Sequence, residues 1–201
     1  TISYTDGQGT EESETSAATS TVQNVNDAAT VAISGTATED QVLTATVTDE
    51  DGATGTITYT WKRAGTAITG ATSSTYTLVQ ADVGSAITVY VSFTDDQSNG
   101  ETATSDATSS VANVNDNPTG SVTISGTPTE DQVLTAANTL ADEDVLGSIT
   151  YTWSNGDTGS TTTPSPSDVG NAITVTAAYT DAHGTADTSN SAATAAVAKL
   201  N

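Results

Sequence analysis

The chain contains 201 residues and carries 25 acidic side chains against three basic ones, so its formal net charge is −22 with its one histidine neutral. A chain this acidic repels phosphate groups, which excludes nucleic acid and anionic membrane surfaces as partners. Cysteine is absent, which excludes disulfide bonds, thiolate nucleophiles and thiolate metal sites.

The acidic residues are clustered between long uncharged stretches rich in Thr, Ala, Val and Ile. Threonine and the β-branched aliphatic residues favour strands, and Asp favours turns. The composition therefore predicts an all-β protein. No run of 18 apolar residues occurs, so we expect no direct insertion into a membrane. Because the chain begins with Thr1 and has no signal-like segment, we expect it to be a fragment of a longer protein.

A repeat of about 90 residues organises the chain. The motif Asn-Val-Asn-Asp occurs at residues 24–27 and again at 113–116, and the same series of motifs follows each copy. A unit of this length has the size of a small β-sandwich. We predict that residues 24–112 and 113–201 are two Ig-like repeats, and that residues 1–23 are the C-terminal F–G hairpin of a preceding, partial repeat.

The predicted elements begin with this hairpin, which supplies only the last two strands of a repeat. An isolated hairpin is marginally stable in water. Residues 1–23 are therefore frayed, exchanged with a neighbouring molecule or completed by another chain, and if they are ordered we expect hairpin exchange or pairing with a neighbouring molecule.

In the two full repeats, alternating segments broken every ~8–12 residues predict the strands of a sandwich. The predicted strands lie at 31–35, 42–48, 56–62, 74–78, 86–94 and 101–111 in the first repeat, and at 122–126, 133–139, 148–153, 172–180 and 186–197 in the second. Trp61 and Trp153 each end an alternating Ile-x-Tyr-x-Trp strand, so we expect both in the core. The segment after Trp153 is short and contains two prolines, which predicts the loss of an edge strand there.

Ig-like connections would place the acidic turns at the ends of the sandwiches. At the junction of the two repeats, several carboxylates would meet and could not all stay ionised without a counter-cation. The only basic residues are Lys62, Arg63 and Lys199. A hard cation with about 6–8 oxygen ligands fits instead, which favours Ca²⁺ over Mg²⁺.

Four motifs in fixed order carry a resemblance to a known family: the linker Asn-Val-Asn-Asp-Asn-Pro at 113–118, the Thr-Glu-Asp turn, the Asp-Glu-Asp loop and the Ala-Asp-Val-Gly-Ser-Ala-Ile-Thr-Val run. Together they resemble the tandem Ig-like extender repeats of giant calcium-dependent bacterial adhesins of the RTX type, and the linker is also similar to the cadherin interdomain pattern. The resemblance covers essentially the whole chain. It implies tandem Ig-like Greek-key β-sandwiches joined end to end by short Asn/Asp linkers.

The resemblance also implies a function and a ligand set. The chain would be a Ca²⁺-stiffened spacer between neighbouring repeats of an extracellular, cell-surface adhesin that is exported by type I secretion and serves biofilm or substrate attachment. The implied Ca²⁺ ligands between the full repeats are Glu39, Asp40, Asn115, Asp116, Asp142, Asp144 and Asp181. Those of the upstream junction are Asn26, Asp27, Asp49, Asp51 and Asp95.

Two other functions stay open: a calcium-assisted carbohydrate- or ligand-binding Ig-like module, and an accessory sandwich of a larger extracellular enzyme. The loop 154–167, in which the repeats differ most, is short and lacks aromatic residues, which favours the spacer. We predict no enzymatic activity, because no histidine recurs and no Gly-x-Ser-x-Gly or phosphate loop is present. We expect His183 to be an exposed turn residue.

Overall fold

The computed structural model describes all 201 residues and is built from antiparallel β-sheets. No helix in it has the length and apolar character needed to cross a bilayer. In chain order, the strands are β1 (Ile2–Thr5), β2 (Glu11–Glu14), β3 (Thr30–Ser34), β4 (Val42–Thr48), β5 (Thr58–Arg63), β6 (Thr66–Ala67), β7 (Thr75–Thr77), β8 (Ile87–Thr94), β9 (Gly100–Thr104), β10 (Val122–Ser125), β11 (Leu134–Asn138), β12 (Thr150–Trp153), β13 (Thr161–Thr162), β14 (Val175–Thr180) and β15 (Ala186–Asn190).

Strands β3–β15 form two sandwiches in series. The first sandwich packs sheet β3-β4-β7 against sheet β6-β5-β8-β9, and the second packs β10-β11-β13 against β12-β14-β15. In Ig lettering these orders are A-B-E and C′-C-F-G, which is a Greek-key arrangement. The predicted fold class is therefore confirmed. The second sandwich lacks a counterpart of β6, which agrees with the edge strand predicted to be lost.

A tryptophan lies at the centre of each core. Trp61 is 0% exposed and Trp153 is 2% exposed, as the sequence predicts. The indole N–H of Trp61 donates to the carbonyl of Ser73, and that of Trp153 donates to the carbonyl of Gly159, both at 2.9 Å. Each ring can therefore be buried without leaving its polar atom unpaired. Residues from both sheets surround each ring, so each core holds its two sheets together.

The last strand of each sandwich is shorter than predicted, since β9 ends at Thr104 and β15 ends at Asn190. Hydroxyl groups replace the main-chain acceptors at that point. The buried N–H of Val89 donates to Oγ of Ser105, and the N–H of Val175 donates to Oγ of Ser191, both at 3.0 Å. A serine hydroxyl at the same place in both sandwiches therefore replaces a main-chain acceptor, while the N–H groups of Ser105 and Ser191 still donate to the carbonyls of Val89 and Val175.

The hairpin of β1 and β2 forms no sheet with any other strand, and all eight strand residues are exposed. Its turn is the same as that of the later F–G hairpins. Oδ1 of Asp6 accepts the backbone N–H groups of Gln8 and Thr10 at 2.8 and 2.9 Å, and Asp95 and Asp181 make the matching bonds in their own loops. Residues 1–14 therefore keep F–G geometry without the rest of a sandwich. Hairpin exchange stays a prediction.

Candidate metal centre

Three chain segments converge where the first sandwich meets the second, and we call this region the joint. Glu39 lies in the turn between β3 and β4, Asp116 in the linker 113–118, and Asp144 in the loop between β11 and β12. The backbone fixes the turn against the linker, because the N–H of Glu39 donates to the carbonyl of Ala112 at 2.9 Å. A left-handed residue, Asp40 with φ of 63°, then turns the chain back into β4.

The carboxylates of Glu39, Asp116 and Asp144 lie close enough to share one ion. One oxygen from each lies within 4.8 Å of the others. Glu39 is 2% exposed and Asp144 is 0% exposed, while Asp116 is partly buried. Buried carboxylates are rare unless they are paired with a base or coordinate a metal.

Backbone and amide N–H groups orient the two buried carboxylates, those of Glu39 and Asp144. Oε2 of Glu39 accepts the N–H of Val114 at 3.2 Å, and Oδ2 of Asp144 accepts the N–H of Asp116 at 2.8 Å. Oδ1 of Asp144 accepts the side-chain N–H of Gln80 at 3.1 Å. These donors are neutral, so they position the carboxylates of Glu39 and Asp144 but do not neutralise them.

Burial and mutual repulsion both disfavour ionisation at the joint. Burial raises the pKa of Glu39 above its ordinary value, repulsion from Asp116 and Asp144 raises it further, and the N–H of Val114 opposes the shift. Burial, and then repulsion led by Asp144, raises the pKa of Asp116. No lysine or arginine is paired with the group, because the one such ion pair in the protein joins Arg63 to Asp82 at 2.7 Å.

Two more of the predicted ligands lie in loops at Asp144: Asp142 precedes it in the same loop, and the loop of Asp181 contacts it, because the N–H of Ala182 donates to the carbonyl of Asp144 at 3.1 Å. Asp142 accepts the backbone N–H of Asp144 at 2.9 Å through Oδ1 and the hydroxyl of Tyr179 through Oδ2. Burial opposes the ionisation of Asp181, yet its backbone donors, with Thr185 first, hold the pKa of Asp181 below its ordinary value. Oδ2 of Asp181 is buried and accepts no hydrogen bond from the protein.

This donor set fits a hard cation. Every candidate ligand atom is an oxygen, which suits Ca²⁺. Oδ2 of Asp181, in the loop that contacts Asp144, is buried and unpaired. The fit rests on residues from both sandwiches and from the linker.

Asp40 and Asn115 are placed differently from the three central acids. Both are exposed. Asp40 contributes charge, since its carboxylate raises the pKa of Glu39 and of Asp116 after the larger effect of burial. The side-chain amide of Asn115 donates to the carbonyl of Asp116 at 3.3 Å, so it braces the linker.

The upstream set repeats half of this construction. The backbone N–H of Asp27 donates to Oδ2 of Asp51 at 2.8 Å, and the N–H of Asp51 donates to Oδ1 of Asp49 at 2.8 Å. Oδ2 of Asp49 is buried without a partner, and Asp95 caps its own loop, as Asp181 does. Asp27 and Asp51 belong to no group of three metal-ligating side chains, in contrast to Asp116 and Asp144.

The sequence analysis missed two buried acids on the G strands. Glu101, which is 6% exposed, accepts the side-chain N–H of Asn26 at 2.8 Å and the backbone N–H of Ala29 at 3.1 Å. Its counterpart Asp187 is 8% exposed and has a buried, unpaired Oδ2. Pro118 stands where the first linker has Ala29 and offers no N–H, which leaves the second acid unpaired. Repetition of an acid at the start of both G strands was the available signal.

Two further residues at the joint were also missed. The side chain of Gln80 reaches Asp144 from the first sandwich, and Nε2 of His183 lies 3.9 Å from Oδ1 of Asp144. His183 is exposed as expected, but it borders the candidate site. Both residues could have been found from their positions, because Gln80 lies in the loop between β7 and β8, His183 lies in the loop between β14 and β15, and both loops face the joint.

Similarity to known proteins is limited to solved structures, because no protein-family model and no curated protein matches the chain. One similar structure is described as a Ca²⁺-stabilised adhesin that helps an Antarctic bacterium reach out and bind ice (19% identity, 98% of this chain, 56% of that chain, TM-score 0.37). A second comes from a 1.5-MDa bacterial ice-binding adhesin (15% identity, 87% of this chain, 66% of that chain, TM-score 0.34). A third comprises three N-terminal domains of the highly immunogenic outer capsid protein of bacteriophage RB49 (19% identity, 86% of this chain, 59% of that chain, TM-score 0.33).

The chain thus spans less than two thirds of each of these structures. Repeat domains of large bacterial adhesins are among its structural neighbours, together with a phage capsid protein. Likenesses at these TM-scores carry no argument about function.

Proposed function

We propose that this chain is a structural spacer of a secreted bacterial surface adhesin, and that Ca²⁺ bound at the joint stiffens it. In this proposal, residues 24–112 and 113–201 are two extender repeats, and residues 1–23 end a preceding one. Their partners are neighbouring repeats of the same chain. The protein acts outside the cell after type I secretion, and it has no enzymatic role.

The observation that carries the proposal is the convergence of Glu39, Asp116 and Asp144 from three segments without a neutralising base. A cation at this point would contact the first sandwich, the linker and the second sandwich at once. Binding would therefore couple the orientation of one sandwich to that of the other. A ligand that binds only the folded arrangement also stabilises it by mass action.

The halves of the site support a repeating array. At the far end of the second sandwich, Oε2 of Glu130 accepts the N–H of Leu200 at 3.1 Å, as Glu39 accepts the N–H of Val114. At the near end of the first sandwich, Asp51 binds Asp27 as Asp144 binds Asp116. Each sandwich thus carries one half-site at each end, and end-to-end joining completes them.

Thermal unfolding with calcium and with chelator tests the proposal. For calcium at about 100 times its dissociation constant, the stabilisation is about 2.7 kcal/mol, which raises Tm by about 5–10 °C. Asp144→Asn should lose most of this gain. Asp106→Asn removes an exposed carboxylate away from the joint and should keep it. An equal calcium response in wild type and Asp144→Asn would reject this site.

A further inference from the structure

Gln80 is the residue of the first sandwich whose side chain hydrogen-bonds directly to the second. It begins the short 3₁₀ helix Gln80–Asp82 between β7 and β8. Its Nε2 lies 3.1 Å from Oδ1 of Asp144, 3.4 Å from Oδ1 of Asn113 and 3.4 Å from Nε2 of His183. The amide therefore lies against the candidate metal centre.

The other end of this amide has no partner. Oε1 of Gln80 is buried and accepts no hydrogen bond from the protein. A buried acceptor without a partner is unfavourable. A half turn about the last side-chain torsion exchanges the oxygen and nitrogen positions, so the same side chain can present either a donor or an acceptor to Asp144.

We propose that Gln80 is a ligand of the cation at the joint, an inference that rests on the proposed function. Without a cation, its N–H group faces Asp144. With a cation held by Glu39, Asp116 and Asp144, the amide turns and Oε1 coordinates the ion. Ca²⁺ accepts neutral amide oxygens readily, and they complete its shell without adding repulsion among the carboxylates.

The consequence is a stronger hold of the first sandwich on the shared ion. Glu39 then supplies one ligand from the turn between β3 and β4, and Gln80 supplies a second from the loop between β7 and β8 of the same sandwich. The second repeat has Pro166 at the position of Gln80, just before its own Asp-Val-Gly turn. A proline side chain has no oxygen, so this ligand is specific to the joint between the two described sandwiches.

Calcium binding by the full 201-residue chain, measured by isothermal titration calorimetry, tests Gln80. Gln80→Ala should weaken the tightest calcium site by roughly 10-fold, an effect typical of losing one interaction at a metal centre. Gln80→Glu restores an oxygen ligand and adds charge, so its affinity should equal or exceed that of wild type. Gln41→Ala is the control, since Gln41 is exposed in the turn that carries Glu39.

The outcomes separate the two claims. If wild type and Gln41→Ala bind calcium and Gln80→Ala binds it equally well, the role of Gln80 is rejected and the proposed spacer function stands. If wild type binds no calcium, both fall together. Should Gln80→Ala fail to fold in chelator, Gln80→Glu decides, because an affinity 10-fold below wild type would overturn the assignment.

Discussion

Single carboxylates in this protein behave differently according to what surrounds them. Asp181 and Asp95 are buried, but donors from their own loops lower their pKa values despite burial. Glu39 and Asp116 face other acids and have raised pKa values, for which burial is the largest cause. Asp95 and Asp181 therefore stabilise the conformation of their loops, whereas Glu39 and Asp116 require a counter-ion to stay ionised together.

Glu39 should impose a measurable pH dependence on the calcium-free protein. Its folded-state pKa lies above the ordinary value of 4.5, so the folded state binds more protons than the unfolded state just above that pH. The free energy of unfolding must therefore fall as pH rises through this window. In chelator, Glu39→Gln should melt above wild type at pH 7 but not at pH 4.

Glu130→Gln is the matched control for that experiment, because Glu130 occupies the same turn in the second repeat and belongs to no group of clustered carboxylates. It should not raise the melting temperature at pH 7. Identical melting curves for Glu39→Gln and wild type across the range would show that Glu39 is not under strain at the joint.

Arg63 should matter through the acid that it neutralises. Asp82 is 0% exposed and binds Arg63 at 2.7 Å, and it also accepts the hydroxyl of Tyr76 and the N–H of Val79. Because those two donors remain, Arg63→Ala should cost about 2 kcal/mol, less than for a fully orphaned charge. Lys62→Ala removes a cation–π contact with the ring of Tyr90 and should lower the free energy of unfolding by less than about 1 kcal/mol. Denaturant titration measures the free energy of unfolding of both variants. Equal decreases for Arg63→Ala and Lys62→Ala would show that neutralising Asp82 is not the role of Arg63.

At the scale of the elements, the serine that follows each G strand makes the same hydrogen bond in both sandwiches. Ser105→Ala leaves the buried N–H of Val89 without its acceptor and should destabilise the first sandwich by about 1–3 kcal/mol. Ser191→Ala should do the same to the second sandwich through Val175. Thr102→Ala, on the exposed side of β9, should change stability by less than about 0.5 kcal/mol. If denaturant unfolding gives the same free energy of unfolding for Ser105→Ala and Thr102→Ala, the Ser105 hydroxyl is not a stabilising acceptor for the N–H of Val89.

The strands and their tryptophans were predictable because they depend on local periodicity. The alternating Ile-x-Tyr-x-Trp pattern predicts that Trp61 and Trp153 are buried, and the repeated motifs predict the same succession of strands along the chain in both repeats. The length of the G strand was not predictable in the same way. Threonine favours strands, so the Thr-rich segment predicted a longer strand, yet the hydroxyl of Ser105 accepts the N–H of Val89 directly after β9 ends.

The candidate site was predictable only in part. Glu39, Asp116 and Asp144 were expected together because Ig-like connections bring their loops to one end. Gln80 was missed because an amide carries no charge and its role depends on a contact across the joint. Asp187 was missed because its Oδ2 is left unpaired by the absence of an N–H at Pro118, and only the folded linker reveals this contact.

At the scale of the whole molecule, the net charge of −22 is unevenly placed. Five acidic residues of both sandwiches and the linker border the joint: Glu39, Asp40, Asp116, Asp142 and Asp144. Their mutual repulsion should push the sandwiches apart when no cation is bound, because no lysine or arginine offsets it. Calcium should remove that repulsion and add ligand bonds that span the joint.

Small-angle X-ray scattering of the full chain, with calcium and with chelator at the same ionic strength, tests this central claim most directly. With calcium, we expect one narrow distribution of interatomic distances, as for two sandwiches held in fixed alignment. With chelator, or for Asp144→Asn in calcium, we expect a broader distribution and a changed radius of gyration, while circular dichroism still shows folded sandwiches. Superimposable scattering curves in calcium and in chelator would contradict the account.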